Sequence, residues 1–338
     1  MITIHKTGSF AKRWIDYCEK NNIHYKIVNC YDSNIIEQLK DCDALMWHHD
    51  HGKHKDVIAA KKILFALEHA GVKVFPDFKT SWHFDDKVAQ KYLLEAIGAP
   101  MVPSYVFYDK KEALNWANHT TYPKVFKLKG GAGSANVKLV RTKSECINLI
   151  DKVFGKGFKQ FDGMAYFLDS IKKYKSGTKS INQVAKAFGR MFISTDFSKH
   201  IAREKGYVYF QDFIPNLDSD IRIQVIGNRA TGLKRFVRKG DFRASGSGDF
   251  IELNKKNIDI RLIEIAFLIA KKINSQSLTI DFIYNKDQPL IVELSYGYPY
   301  KFYDNCLGYW DANLNWHEGK FISQHWMVED LVNELIGE

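Results

Sequence analysis

Apolar residues in the first 80 positions come in short runs separated by longer amphipathic stretches. "ITIH" (2–5), "YKIVNC" (25–30), "ALMW" (44–47) and "KVFP" (73–76) read as strands. Between them, Phe10 to Asn21 sets Phe10, Trp14 and Tyr17 on one side of a helix, and Asp56 to His69 predicts another. Strands alternating with helices predict an α/β unit around a small parallel sheet. Asp85 to Ile97 reads as a separate helix ended by "GAPMVP". From Tyr122 onward the pattern changes to longer strands joined by tight turns, with helices near 143–153 and 257–273, so the C-terminal part reads as α+β. No internal repeat or low-complexity tract appears.

The same alternation carries chemistry in "LTIDFIYNKDQPLIVELSYG", Leu278 to Gly297. Tyr284 and Leu290 flank the turn-forming "NKDQP", which predicts an antiparallel hairpin. If Tyr284 pairs with Leu290, Asp281 falls opposite Glu293. Leu278, Ile280, Phe282, Tyr284, Leu290, Val292 and Leu294 then share an apolar face, and Thr279, Asp281, Glu293 and Ser295 share the other. Like charges directly opposite each other destabilise a sheet. A hard cation between them, or a shared proton, would give the pair a reason, and oxygen-only ligation completed by nucleotide oxygens is how Mg²⁺ is commonly held. Two solvated carboxylates, each beside a lysine, are the plainer alternative.

Upstream, Asp220, Arg222 and Gln224 alternate with Ile221, Ile223 and Val225. After a turn at Gly227-Asn228, Lys234, Arg235 and Arg238 follow on the next strand. Cations on successive strands suit a polyphosphate or a developing anionic centre. The stretch "VFKLKGGAGSANVKLV" (125–140) clusters glycines between lysines, as a phosphate cradle does, yet also as a plain hairpin turn does. It lacks the Gly-Lys-Ser/Thr of a P-loop and the third glycine of the dinucleotide fingerprint, and it leads into a strand rather than a helix.

Bulk properties narrow the partners. At 338 residues, two or three domains are expected. No apolar run is long enough to span a bilayer, and "MITIHKTGSF" lacks the profile of a secretory signal, so the expected location is the cytoplasm. The five cysteines form no C-x-x-C pair and read as buried reduced thiols. The net charge of +10 fits anionic small molecules or transient contact with a membrane surface; no nucleic-acid-binding signature accompanies it. The segment from Asp151 to Lys205 holds twelve Lys or Arg against five Asp or Glu and few strand signals. It reads as helices and loops, either a solvated appendage or a lid facing the substrate.

In chain order, a lysine ahead of "GAPMVP", then "YPKVFKLKGGAGSANV", "YFQDFIPN", "DIRIQVIG", "KRFVRKGDFRASGSG" and "IDFIYN…PLIVELSYGYP" resemble the ATP-grasp superfamily over roughly residues 80 to 300. The likeness is to glutathione synthetase and the ribosomal-protein glutamate ligases. It implies an ATP-grasp fold behind an N-terminal α/β domain: residues 1–80, then 81–210 as linker helix and small lobe with a basic insertion, then 211–338 as large lobe.

The resemblance also implies roles. Lys87 and Lys127 match the lysines that reach the nucleotide phosphates, with Lys234 beside them. Gly130, Gly131, Gly133 and Ser134 match the loop closing over the phosphates. Gln211, Asp212, Phe213 and Ile214 match the segment at the adenine, where a glutamate is commoner than Gln211. Asp281 and Glu293 match the Mg²⁺ ligands, with Ser295 where an asparagine is usual. Arg222, Arg235 and Arg243 match the arginines near the phosphates and the acyl phosphate. The implied activity is an ATP- and Mg²⁺-dependent carboxylate–amine ligase releasing ADP, working on a small-molecule or glycan-linked acid and an amine, with a homodimer allowed. A kinase of the same fold acting on a hydroxyl, and a non-catalytic basic module binding sugar or nucleic acid, stand as alternatives.

Two further clusters invite readings. "WHHDHGKH" gathers His48, His49, His51 and His54 after a strand. No common metal spacing fits, and ligands bind beyond the C-terminal ends of parallel strands, so substrate contact is expected there. "YGYPYKFYDNCLGYWDANLNWHEGKF" mixes Tyr296, Tyr298, Tyr300, Tyr303, Tyr309, Trp310 and Trp316 with amides and acids, which serves either sugar stacking or core packing. This tail resembles ligases associated with bacterial surface-polysaccharide clusters.

Overall fold

Short strands near the N-terminus pair in parallel, as their alternation with helices requires. In the computed structural model, which describes residues 1–130, 136–159, 163–175, 180–192, 202–237, 242–243 and 249–337, β1 (Ile2–His5), β2 (Tyr25–Val28), β3 (Ala44–Met46) and β4 (Lys73–Phe75) form one sheet in the order β2-β1-β3-β4. Helix α1 (Ala11–Lys20) covers one face through Trp14 and Cys18. α2 (Ile35–Gln38) and α3 (His54–His69) cover the other with Ile35, Ala60, Leu64 and Leu67. The chain reverses its winding between β1 and β3, so the residues following these two strands meet at a switch point of the sheet. α4 (Phe78–Ser81) and α5 (Lys87–Ala96) follow, each started by an aspartate that accepts from its first turn, Asp77 and Asp86.

A second, antiparallel sheet runs β5-β8-β6-β7, from β5 (Ser104–Phe107), β6 (Lys124–Lys127), β7 (Val137–Val140) and β8 (Val208–Asp212). Its outer face is packed by α6 (Lys110–His119) and α7 (Lys143–Phe154) around Phe126, Ile150 and Phe210. The glycine-rich stretch thus lies on a true hairpin connection, β6 to β7, although Gly131, Gly133 and Ser134 fall outside the described residues. The basic segment contains α8 (Gly163–Lys175) and α9 (Ile181–Phe192), which pack against each other.

The third sheet is antiparallel and runs β13-β12-β9-β10-β14-β15, with β11 also on β10. It comprises β9 (Ser219–Ile226), β10 (Arg229–Phe236), β11 (Phe250–Glu252), β12 (Ser277–Asn285), β13 (Gln288–Ser295), β14 (Gly308–Asp311) and β15 (Trp316–Glu318). One face packs on α10 (Ile260–Ile273), whose buried stripe of Leu262, Ile263, Ala266 and Ile269 meets Ile223, Ile280 and Phe282. The C-terminal helix α11 (Ser323–Ile336) joins the core of the first sheet. The two antiparallel sheets are stitched together where Ile291 donates its N–H to Pro100 and accepts from Val102. All five cysteines are buried free thiols, and among the described residues no helix is long and apolar enough to cross a membrane.

The β12–β13 hairpin departs from the expected register. Tyr284 pairs with Pro289 and Ile283 with Leu290, and a β-bulge then restores Asp281 opposite Glu293. The extra residue is Val292. Its insertion turns Ile291 onto the α10 face, fully buried, and leaves Val292 with Ile283 facing the cleft. The apolar face therefore includes Ile291 in place of Leu290 and Val292.

The aromatic tail is largely core. Tyr296, Tyr298, Tyr303 and Trp310 are buried, although Tyr298 and the exposed Phe302 also border the cleft.

Candidate functional site

The inner faces of the two antiparallel sheets and the end of the parallel sheet enclose a cleft of about 560 Å³, within the range of small-molecule sites. One wall is the inner face of β6 and β8. Val125 and Lys127 alternate inward there, as does Gln211, while Phe126 and Phe210 point to the outer core. Lys127 Nζ donates to Gln211 Oε1 at 2.6 Å, and Gln211 Nε2 donates to Ser104 Oγ at 3.0 Å. Burial draws the Lys127 ammonium down to about 8, against the opposing pull of Glu293. Its partner is a neutral amide, so its charge is left for an anionic ligand. Asp212 is held by Lys124 at 2.6 Å, and Phe213, Ile214 and Leu217 continue the apolar wall.

Helix α5 supplies the second lysine. Gln90 fixes the helix to β13 by donating to Leu294 O at 2.8 Å and accepting from Leu294 N at 3.0 Å. This brings Lys87 Nζ to 3.0 Å from Glu293 Oε1. Burial works against the Lys87 charge, but Glu293, Asp85 and Asp86 together outweigh it and the ammonium pKa is raised. The Lys87 N–H donates to Lys129 O, tying the helix start to the glycine-rich connection. Gly130 stands so close to Asp85 that a Cβ would lie 3.2 Å from its Oδ2.

On the opposite wall, strand alternation collects Asp220, Arg222, Arg235, Asp281, Glu293 and Ser295 on one face of the third sheet. Arg222 grips Asp281 with two hydrogen bonds, 2.6 and 2.7 Å. Arg235 grips Asp220 with two, both 2.6 Å, and reaches Asp281 Oδ2 at 2.8 Å. Burial alone would raise the Asp281 pKa, but the two guanidinium groups hold it well below the usual carboxylate range. Asp220 shifts upward, through burial first and the charge of Asp281 next, with Arg235 pulling the other way. Ser295 Oγ donates to Gly297 O at 2.6 Å and borders the cleft.

These contacts revise two expectations. Asp281 and Glu293 are opposite each other but not left to repel: each has its own cation, Arg222 and Arg235 for one, Lys87 for the other. Lys234 does not join the site. It pairs with Ile221, so the period of two puts it on the α10 side of the sheet, away from Arg235, with its ammonium over Phe236. Arg243 borders the cleft and is half-buried, whereas Arg238 lies outside the described residues.

Among the described residues no group of three or more His, Cys, Asp or Glu is arranged to hold a metal. The Asp281–Glu293 pair with the Ser295 oxygen is an oxygen-only donor set facing a cationic cleft. That fits Mg²⁺, which uses one or two carboxylates and takes its remaining oxygens from a phosphate.

The parallel sheet closes the far end of the cleft. Ser9, after β1, and His48 to His51, after β3, border it at the switch point. His48, His49 and His51 border the cleft, with His48 and His49 buried, while His54 opens α3 and is not among the residues that border it. The sequence shows Asp220 only as a member of the Asp220–Arg222–Gln224 alternation, without its pairing to Arg235, and does not reveal Gln90, Ser9 or Phe84. Ser9 and Phe84 carry no signal, because only the packing of the sheets brings them here.

Three sheets around such a cleft, with a lysine on each side of a glycine-rich connection and paired carboxylates on a facing hairpin, form an ATP-grasp fold. Residues 188–301 match the family model described as the RimK-like ATP-grasp domain. No curated protein matches the chain. Among solved structures, the chain is similar to the biotin carboxylase domain of the Hydrogenobacter thermophilus 2-oxoglutarate carboxylase, crystallised with MgADP, ADP and bicarbonate, at 15% identity and TM-score 0.59, covering 100% of this chain and 70% of that one. It is similar to a RimK domain ATP-grasp protein from Sphaerobacter thermophilus at 13% identity and TM-score 0.52, covering 98% and 99%. It is also similar to D-alanine–D-alanine ligase from Bacillus anthracis at 14% identity and TM-score 0.51, covering 87% and 85%.

Proposed function

We propose that the chain is an ATP- and Mg²⁺-dependent ligase that joins a carboxylate to an amine through an acyl phosphate, in the cytoplasm, with a surface-polysaccharide precursor or an amino acid among its substrates. The observation that carries this reading is the meeting, in one cleft, of the Lys127–Gln211 wall with the face bearing Glu293, Asp281, Arg222 and Arg235. The MgADP in the Hydrogenobacter relative supports the choice of nucleotide.

In this reading ATP is gripped by the β5-β8-β6-β7 sheet together with the segment Gln211 to Ile214 that leaves β8 for the large lobe. Val125, Phe213 and Ile214 pack against the adenine, Gln211 hydrogen-bonds beside it, and Lys87 and Lys127 meet the phosphates under the connection containing Gly130. Asp281 and Glu293, with Ser295, would hold Mg²⁺, which when bound neutralises charge on the transferring phosphoryl group. Arg222, Arg235 and Arg243 orient the acid. A carboxylate oxygen of the acid attacks the γ-phosphorus and ADP leaves. The amine nitrogen then attacks the acyl carbon, phosphate leaves, and the nitrogen loses a proton. Fixed guanidinium groups serve both steps, because negative charge develops first on the phosphoryl oxygens and then on the acyl oxygen.

Mass spectrometry of products formed with ATP, Mg²⁺ and a panel of amino acids and uronic acids tests the reading. The expected product has the mass of acid plus amine less water, formed with equal amounts of ADP and phosphate. A phosphorylated hydroxyl formed without any amine would replace the ligase with a kinase, and failure to bind Mg·ATP would end both readings.

A further inference from the structure

Ser9 is exposed at the end of the cleft, in the connection after β1. Its Oγ lies 3.1 Å from Nδ1 of His48, which follows β3. The imidazole of His48 is enclosed: the residue is 8% exposed, and its ring stacks on Phe10 at 3.7 Å between centroids. A Cβ on Gly297 would stand 3.3 Å from its Nε2. That Nε2 is buried and has no hydrogen-bond partner.

A neutral imidazole carries its proton on one nitrogen only. Burial pushes His48 down to about 3, so the ring is neutral near pH 7. If the proton sat on Nε2, a buried N–H would be left without an acceptor, and orphaned buried N–H groups are rarer than unfilled acceptor lone pairs. With the proton on Nδ1, the N–H donates to Ser9 Oγ and only a lone pair is left unmatched on Nε2. Ser9 then accepts from His48, and its own O–H is free to turn toward the cleft.

We infer that Ser9 is a binding residue for an oxygen of the non-nucleotide substrate, a carbonyl, hydroxyl or carboxylate oxygen that accepts its O–H, and that His48 is the positioning residue fixing that hydroxyl as a donor. The inference rests on the ligase reading for the identity of the substrate, but not for the hydrogen-bond direction. The location is consistent with it: Ser9 and His48 meet where the parallel sheet changes winding direction, and open α/β sheets bind ligands at that point. Phe84 and Tyr298 border the same end and give the substrate an apolar surface beside the donor. The arginines and lysines of the cleft remain for the phosphates and the reacting acid.

Two measurements decide it. Nitrogen NMR of histidine-labelled protein at pH 7 should place His48 Nδ1 in the protonated range and Nε2 in the unprotonated range; the reverse assignment overturns the inference without reference to any ligand. Saturation-transfer NMR with glucuronate and L-glutamate, in the presence of Mg²⁺ and a non-hydrolysable ATP analogue, should show transfer to at least one probe. Ser9→Ala should cut that transfer at least fivefold and change the analogue's Kd less than twofold. His48→Phe, which keeps the stack on Phe10 but removes the donor, should reproduce the loss, with thermal unfolding checking that it folds. Unchanged transfer in Ser9→Ala, or none to either probe in the parent protein, overturns the role of Ser9. Loss of analogue binding in the parent protein would instead count against the ligase reading.

Discussion

Lys127 and Lys138 sit on adjacent strands of one hairpin and differ in what surrounds them. Lys127 is buried in the cleft wall beside a neutral amide, whereas Lys138 is exposed with its ammonium over the outward-lying Phe158. Lys127→Ala is therefore expected to weaken binding of a non-hydrolysable ATP analogue at least tenfold, and Lys138→Ala less than twofold, in a calorimetric titration. The two hairpin carboxylates should separate as well. Glu293 is partly open to the cleft and, among the described residues, is ion-paired with Lys87, so Glu293→Gln should abolish Mg²⁺-dependent ADP formation with little change in Tm. Asp281→Asn should also abolish it, but with a clear fall in Tm. Removing one partner of a buried ion pair costs about 3–5 kcal/mol, and Asp281 compensates two arginines.

Periodicity exposes most of the elements and the Asp220–Arg222–Asp281–Glu293 face, whereas Lys87, Lys127 and Gln211 are marked only by the resemblance. The strands of the parallel sheet, α1, α3, α5 and the β12–β13 hairpin all follow from apolar spacing, and Asp281 does face Glu293. Spacing does not convey the bulge at Val292, because one inserted residue changes the face of its neighbours without changing the local pattern. The grip of Arg222 on Asp281 is equally hidden, since it spans 59 residues and needs the β9–β12 register. Helix α6 escapes too, because its fully buried positions are only the small residues Ala113 and Ala117. At this scale Asp259 offers a test. It caps α10 by accepting from Arg261 N at 3.1 Å and also accepts from Tyr284 Oη at 2.7 Å, so it ties the helix to the hairpin. Asp259→Ala should lower stability by about 1 kcal/mol in urea unfolding, and leave nucleotide affinity unchanged.

For the molecule as a whole, buried histidines set the response to acid. Burial pushes His48 down to about 3 and His83 down to about 4, and His49 moves in the same direction. The native state keeps these rings neutral while the unfolded chain protonates them near 6.5, so the unfolded state binds more protons between those values. Stability is then complete above about pH 6.5 and is lost as pH falls toward 4. At pH 5 each such ring removes about 2 kcal/mol by linkage. Thermal unfolding should show a Tm that is flat from pH 7 to 8 and drops steeply from 6 to 4.5; a flat profile across that lower range would contradict the burial of these rings.

Along the cleft floor Arg222, Asp281, Arg235 and Asp220 form a file of alternating sign, plus, minus, plus, minus. An even file of this kind is neutral, and its parity constrains how the protein can change over generations. Replacing one member by a neutral residue leaves an odd, charged remainder in a buried place, whereas neutralising Asp220 and Arg235 together restores an even one. The double substitution should therefore destabilise less than the sum of its two halves. Lineages descending from this chain would then be expected to alter these positions in pairs, and a sequence carrying only one of the two changes should be a short-lived intermediate.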